Sequence, residues 1–188
     1  MSARRPGWQV TSSRYLFESE WYKLRQDRIR LPGGQRIVYT LVEHPGYVVV
    51  VPLLDDGRVV MERVWRHTVQ RTLLECPAGG RDGLDPQDAA RRELEEETGY
   101  RAGRLTHLGR FLGSKGISDE AFDVYLADSL TADGVICREP AEHIDVELMA
   151  FDEVHALALN GAIEDAASVL ALMLARRHLD ASAGKPAT

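Results

Sequence analysis

Cysteine is scarce in this chain. Its 188 residues hold two, Cys76 and Cys137, which form neither a disulfide framework nor a CxxC pair, and such usage fits a reducing cytosol. Long apolar runs are missing as well: the longest, Tyr47–Leu54 and Val169–Ala175, are far too short to span a bilayer. Arg4-Arg5 is followed by no apolar stretch of the kind an export signal carries. A cytoplasmic location without membrane contact is therefore expected. Nor is there a basic excess. The formal net charge is −6, which argues against nucleic acid as a general partner but leaves room for a small anionic substrate whose phosphates are met by cations or local arginines. The six histidines show no HExxH and no zinc spacing, and are expected to be structural or exposed. Repeats and low-complexity tracts are absent. What remains, 44% hydrophobic and 28% charged residues, has the proportions of a folded globular protein, of a size for one domain, or one with extra N-terminal structure.

Residues up to about Ser13 are expected to form a flexible or partner-dependent lead. Trp21 to Leu31 reads as a strand, and Pro32-Gly33-Gly34 turns it into a second from Arg36 to Val42. After the break at His44-Pro45-Gly46, the β-branched run Tyr47–Leu54 has the pattern of a strand buried on both faces. Asp55-Asp56-Gly57 is a turn signal, with Arg58–Trp65 as the returning partner. Leu73–Cys76 is a short strand, Arg104–Leu112 and Ala121–Leu126 flank a loop over Gly113–Glu120, and Val146–Ala150 is another strand. Asp152 opens a helix that ends near Gly161, and Ile163–Leu179 forms the last one. The expected organisation is an N-terminal β segment over 1–46, a main domain over 47–180 and a disordered tail over 181–188. Strands, a helix, more strands and then helices suit an α+β fold with a mixed sheet.

The most informative stretch is Gly79–Tyr100, GGRDGLDPQDAARRELEEETGY. Asp85 before Pro86 predicts a helix start, a side-chain oxygen to cap free amides followed by a residue that needs no amide hydrogen. Gly99, free to take the left-handed conformation, predicts the stop. Between them Glu93, Glu96 and Glu97 stand at i, i+3 and i+4 and share one face, while Ala90 and Leu94 mark an apolar face beside it. Three crowded carboxylates call for positive charge, and hard divalent cations with oxygen ligands meet that need. The plainer alternative is a solvated surface helix laced by Arg91–Glu95 and Arg92–Glu96 pairs.

The run from Arg92 to Tyr100, RELEEETGY, resembles the second half of the Nudix box. The first half departs from that pattern. Leu84 stands where the family has a glutamate, and Gly79 lies one residue too close, so the loop is short by one residue and lacks a carboxylate; the leucine is expected to pack the loop against the helix. The segments VVVVPLLDDGRVVMERVWRH, LLECPAG, GSKGISDEAFDVYLA and GAIEDAASVLALMLA are similar to those of the ADP-ribose pyrophosphatase branch of the Nudix hydrolases. The resemblance implies an α/β/α sandwich with a mixed sheet, a homodimer formed through the N-terminal sheet, and hydrolysis of a nucleoside diphosphate linked to another moiety.

It also implies roles for particular residues. Glu93, Glu96 and Glu97, with the carbonyl of Ala78, are the expected ligands of Mg²⁺, with Mn²⁺ as a substitute; Arg92 orients the carboxylates. A general base is needed for the attacking water, and Glu142 and Glu120 are rivals for it. Arg66 matches a phosphate-binding arginine, and Glu75 a substrate-site acid that otherwise pairs with an arginine. Arg28, with Arg30, either reaches a nucleotide across a dimer interface or is a solvated strand charge. Trp21 or Tyr22 either stacks a base or packs in the core. Cys76 is expected to be a small buried apolar residue. The expected activity is cleavage of ADP-ribose or a related ADP-sugar to AMP and a sugar phosphate. The alternatives are another nucleoside diphosphate sugar such as GDP-mannose, and, prompted by Leu84, a nucleotide-binding module without turnover.

Overall fold

The computed structural model describes residues 7–184. In chain order its elements are β1 (Gln9–Glu18), β2 (Lys23–Arg30), β3 (Arg36–Glu43), β4 (Tyr47–Pro52), β5 (Arg58–Arg66), β6 (Arg71–Glu75), β7 (Ala78–Gly80), α1 (Pro86–Thr98), β8 (Arg101–Leu112), β9 (Ala121–Thr131), β10 (Ile144–Ala150), α2 (Phe151–Leu159) and α3 (Ala166–Ala183). They form sheets of order β1-β2-β3, β10-β5-β6 and β7-β4-β9-β8. In the last of these β4 runs parallel to β9 and antiparallel to β7, so the sheet is mixed and the class is α+β, as the sequence predicts. The chain divides into two compact units, one reaching Gly46 and including Leu112–Ala121, the other holding Tyr47–Phe111 and the chain from Phe122 onward.

Within the N-terminal unit, β1 replaces the flexible part of the expected flexible or partner-dependent lead from Gln9 onward; residues 1–6 lie outside the described ones. It pairs with β2 from Gln9↔Arg30 to Glu18↔Lys23, yet all ten of its residues are exposed. With neither face buried, no clean apolar/polar alternation marks it in the sequence. Trp21 and Tyr22 precede β2 instead of opening it, and both rings are exposed, which rules out core packing for them within this unit. Leu112–Ala121 joins the unit through hydrogen bonds from Val42 N to Ile117 O at 2.8 Å, from the Tyr39 hydroxyl to Gly116 O at 3.0 Å and from His44 N to Asp119 Oδ1 at 3.0 Å.

The other unit is built around β4. Successive side chains of a strand point to opposite faces, and here both faces are covered by helices. Val48 and Val50 pack with Ala89, Ala90 and Leu94 of α1 and with Tyr125 of β9. Val49 and Val51 pack with Val154 of α2 and Ala171 and Leu172 of α3. Within this unit the mixed sheet is thus sandwiched between helices. Helix α3 continues to Ala183, so the tail expected to be disordered from 181 begins as helix; residues 185–188 lie outside the described ones.

Helix α1 starts and stops where the sequence predicts. Asp85 Oδ1 accepts from Gln87 N at 3.0 Å, Pro86 follows it, and Gly99 takes φ 75° with its amide bonded to Glu95 O. Leu94, fully buried, anchors the helix to β4. Leu94→Ala is expected to cost about 2–5 kcal/mol through lost transfer energy and a cavity, read by urea unfolding. A cost below about 1 kcal/mol would mean that this face is not packed as described.

Candidate active site

The apolar stripe of α1 that docks on β4 fixes where its acids go. Glu93 and Glu97 lie one turn apart beside Leu94 and are 8% and 6% exposed, respectively, so neither belongs to a solvated surface; Glu96 is only partly buried. Arg92 holds this face together. It donates through Nη2 to Gly80 O at 2.7 Å and to Glu93 Oε1, pairs with Asp82 at 2.7 Å, and lies 3.6 Å from Glu96. It thereby bridges the carboxylates of the helix to the preceding loop. Arg91 and Glu95 do not pair as the surface reading requires: Arg91 donates to Ala102 O at 2.6 Å, and Glu95 accepts from Arg101 at 2.7 Å. Glu97 Oε2 accepts from Ala78 N at 3.0 Å. At Gly79 an added Cβ would lie 2.1 Å from Glu93 Oε2, so the carboxylate rests directly against the backbone of β7.

Leu84 departs from its expected place. It is 38% exposed and belongs to a turn closed by Leu84 N to Arg81 O at 2.8 Å, so it does not bury itself between loop and helix.

Neighbouring strands bring further charge to α1. Glu75 on β6 is buried and takes both Arg66 Nε at 2.9 Å and Arg66 Nη2 at 2.6 Å, a bidentate fork. The two residues expected to meet substrate thus pair with each other. Opposite Glu75 in register stands Glu62 of β5, 1% exposed, with no hydrogen-bond partner for Oε1. Its signal in the sequence is a lone acid inside the otherwise apolar VVMERVW. Arg138 has no such signal. Its guanidinium donates to Glu97 O and, through Nη1, to Ile144 O at 2.6 Å, tying the end of α1 to the start of β10. The intervening loop carries Glu142, whose Oε2 accepts from Glu139 N at 2.7 Å.

These acids act on one another. Burial pushes the Glu97 carboxyl well above the usual range, and the charges of Glu62, Glu93 and Glu142 push it further. Burial also raises Glu62, against the pull of Arg138. Glu93 is pushed up to about 6, again chiefly by burial, with Arg92 opposing. Glu97 therefore lies within reach of the charges of Glu62, Glu93 and Glu142.

The remaining candidates lie in the N-terminal unit. Glu120 Oε1 stands 3.8 Å from His44 Nδ1. Arg28 is exposed on β2, and Trp21, 55% exposed, borders a groove of about 320 Å³ with Tyr22, His44 and Pro45. Cys76 is buried, its amide bonded to Ser168 Oγ at 2.8 Å, and burial pushes its thiol up, as befits a packing residue.

A hard divalent cation suits this donor set: carboxylate oxygens with little positive charge of their own, one of them an orphaned buried oxygen. Among the described residues no three His, Cys, Asp or Glu side chains are gathered closely enough to hold a metal ion as they stand. Glu93 gives Oε1 to Arg92, which leaves Oε2, lying against Gly79, as its oxygen for an ion. Without a cation the raised carboxyls have a measurable consequence. The folded chain binds more protons than the unfolded one from about pH 4.5 up to each raised value, so its stability falls as pH rises through that window. The melting temperature of the metal-stripped protein is expected to drop between about pH 5 and pH 8, and Mg²⁺ to lessen the drop. A flat or rising melt across that range contradicts the buried carboxylate cluster.

Comparison with known proteins agrees with this geometry. The NUDIX domain family matches residues 43–172, and the nucleoside diphosphate sugar hydrolase N-terminal domain matches residues 8–42. An ADP-ribose pyrophosphatase of Bacillus subtilis (strain 168) is 38% identical over 117 residues, which span 62% of this chain and 63% of that protein. One of Mycobacterium tuberculosis is 37% identical over 142 residues, 74% of this chain and 67% of that protein. A methanol dehydrogenase activator of Bacillus methanolicus is 32% identical over 159 residues, 84% and 86% of the respective chains. Among solved structures, the crystal structure of an ADP compounds hydrolase superposes with a TM-score of 0.81 at 22% identity, covering 93% of this chain and 95% of that one, which supports the fold alone. On the family match and the helix that carries the box, the chain belongs to the Nudix hydrolases.

Proposed function

We propose that this protein hydrolyses the diphosphate of ADP-ribose or a related ADP-sugar to AMP and a sugar phosphate, with Mg²⁺ or Mn²⁺ at the acidic face of α1. The observation that carries this reading is the burial of Glu93 and Glu97 beside the Ala78–Gly80 backbone, a place where carboxylates are costly unless a cation joins them. Relatives named as ADP-ribose pyrophosphatases support the substrate class. Glu93, Glu96, Glu97 and the carbonyl of Ala78 are the groups that would hold the ion. When bound, it polarises the diphosphate and offsets developing charge.

The chain's own groups do the rest. Arg66 is half-exposed beside buried Glu75, so its fork is pre-oriented and keeps a face for a phosphate. Glu142 is the base we assign, because its charge already reaches Glu97. It takes a proton from the water whose oxygen bonds to one phosphorus, as the bridging oxygen departs on the other phosphate. Glu120, in the N-terminal unit, remains the rival. Arg28 and Trp21 are assigned to nucleotide contact from a second copy, in a homodimer formed through the N-terminal sheet. The exposed Val10, Tyr15, Leu16, Phe17 and Val38 of that unit support such an interface, a surface of this kind being characteristic of protein contacts. A cytoplasmic location fits the nucleotide substrate.

With Mg²⁺, ADP-ribose is expected to give a higher kcat/KM than GDP-mannose or a dinucleoside polyphosphate; a win of about tenfold for GDP-mannose, some 1.4 kcal/mol, moves the assignment to another nucleoside diphosphate sugar. Glu97→Gln is expected to keep the fold and lose about a thousandfold in kcat/KM, some 4 kcal/mol of transition-state stabilisation. Less than tenfold in a folded variant removes Glu97 from the metal site. Leu84→Ala, at an exposed turn, is expected to change turnover far less. No turnover on any diphosphate, with binding retained, indicates a binding module.

A further inference from the structure

Glu62 is unlike the other acids near α1. Glu75 has Arg66, Glu93 has Arg92, and Glu97 has the amide of Ala78. Glu62 is the most deeply buried of the four, and its Oε1 has no partner. The guanidinium groups that act on it are committed elsewhere, Arg66 to Glu75 and Arg138 to the carbonyls of Glu97 and Ile144. The strand register explains its aim. Met61, beside Glu62, packs into the core under α2 and α3, so Glu62 projects to the opposite face of β5, on the side of its register partner Glu75. Among the charges that repel the Glu97 carboxylate, that of Glu62 is the largest. A buried carboxylate with an orphaned oxygen, whose charge bears on Glu97, makes a site that lacks only a positive charge.

We propose that Glu62 is a further cation ligand, sharing with Glu97 a divalent ion held between β5 and the last turn of α1. This rests on the reading of α1 as a metal-binding helix and extends the oxygen set to a strand outside the box. Mg²⁺ is commonly held by one or two carboxylates, with waters and substrate phosphates filling the remaining positions. A pair such as Glu62 and Glu97 is enough for that arrangement, and three converging side chains are not required.

Mn²⁺ binding to the substrate-free protein, followed by electron paramagnetic resonance, tests this without reference to turnover. Glu62→Gln, Glu97→Gln and Glu147→Gln each remove one carboxylate, the last from an exposed pair with Arg63, so it controls for net charge. Glu62→Gln is expected to weaken Mn²⁺ by about tenfold or more, the scale for groups that build metal sites, and to melt no lower than the parent chain without metal. Glu147→Gln is expected to bind like the parent. A smaller loss in Glu62→Gln, as a protonated Glu62 sharing its proton with Glu97 predicts, overturns the proposal. If Glu97→Gln also leaves Mn²⁺ binding unchanged, the metal reading of the helix falls with it; if Glu97→Gln alone weakens binding, only the role of Glu62 falls. Should Glu62→Gln fail to fold, Glu62→Asp keeps the charge but withdraws it by one methylene, and unchanged Mn²⁺ affinity in that variant likewise overturns the proposal.

Discussion

Carboxylates buried faster than they are neutralised set the terms for the catalytic unit. Glu62, Glu75, Glu93 and Glu97 are all nearly inaccessible, and their protein partners weaken in steps: a bidentate guanidinium for Glu75, a guanidinium shared with Asp82 and Gly80 for Glu93, one backbone amide for Glu97, and none for Glu62 Oε1. Buried charge is costly in proportion to what is missing around it. In the metal-free protein protons fill the gap, which is why the carboxyls of Glu97, Glu62 and Glu93 all move upward. On the proposed function, a cation accompanied by a diphosphate replaces those protons. Binding and catalytic competence are thus two aspects of one electrostatic deficit.

The scaffold holds that deficit open by satisfying everything around it. The last carbonyls of a helix have no intrahelical partners, and here the chain after β9 supplies them. Cys137 N bonds to Glu96 O and Gly134 N to Gly99 O, while Arg138 bonds to Glu97 O; Glu95 O is closed by the amide of the capping Gly99 itself. A cation at a helix C-terminus is also favoured by the helix dipole. An alanine at Gly134 would bring its Cβ to 2.8 Å from Gly99 O, so the approach depends on a bare backbone. The same strap ends where the Glu142 loop begins. Fixing the end of α1 and placing that loop are therefore one task. On the far side, Ser168 of α3 takes the Cys76 amide while its own hydroxyl bonds to the capping Asp165, which pins the chain just before Pro77 and Ala78.

Local chemistry made much of this legible. The start and stop of α1 follow from Asp85, Pro86 and Gly99, whose preferences act within a few residues and need no tertiary partner. The β-branched run from Tyr47 reads as a strand with two buried faces, and it has them. Strand β1 was hidden because an exposed strand shows no clean alternation, and β7 because three residues of Ala and Gly carry no pattern at all.

The sequence by itself determined the helix, the spacing that puts Glu93, Glu96 and Glu97 on one face, and the family that spacing belongs to, because helical periodicity is a property of consecutive residues. Only the tertiary structure decided how deeply those acids are buried, that Arg66 is already engaged by Glu75, that Leu84 faces solvent, and that Glu62 and Arg138 join the site from strands and loops remote in sequence. Burial and charge coupling depend on which surfaces meet after folding, and residues 62, 97 and 138 stand on three different elements, the β10-β5-β6 sheet, α1 and the loop after β9.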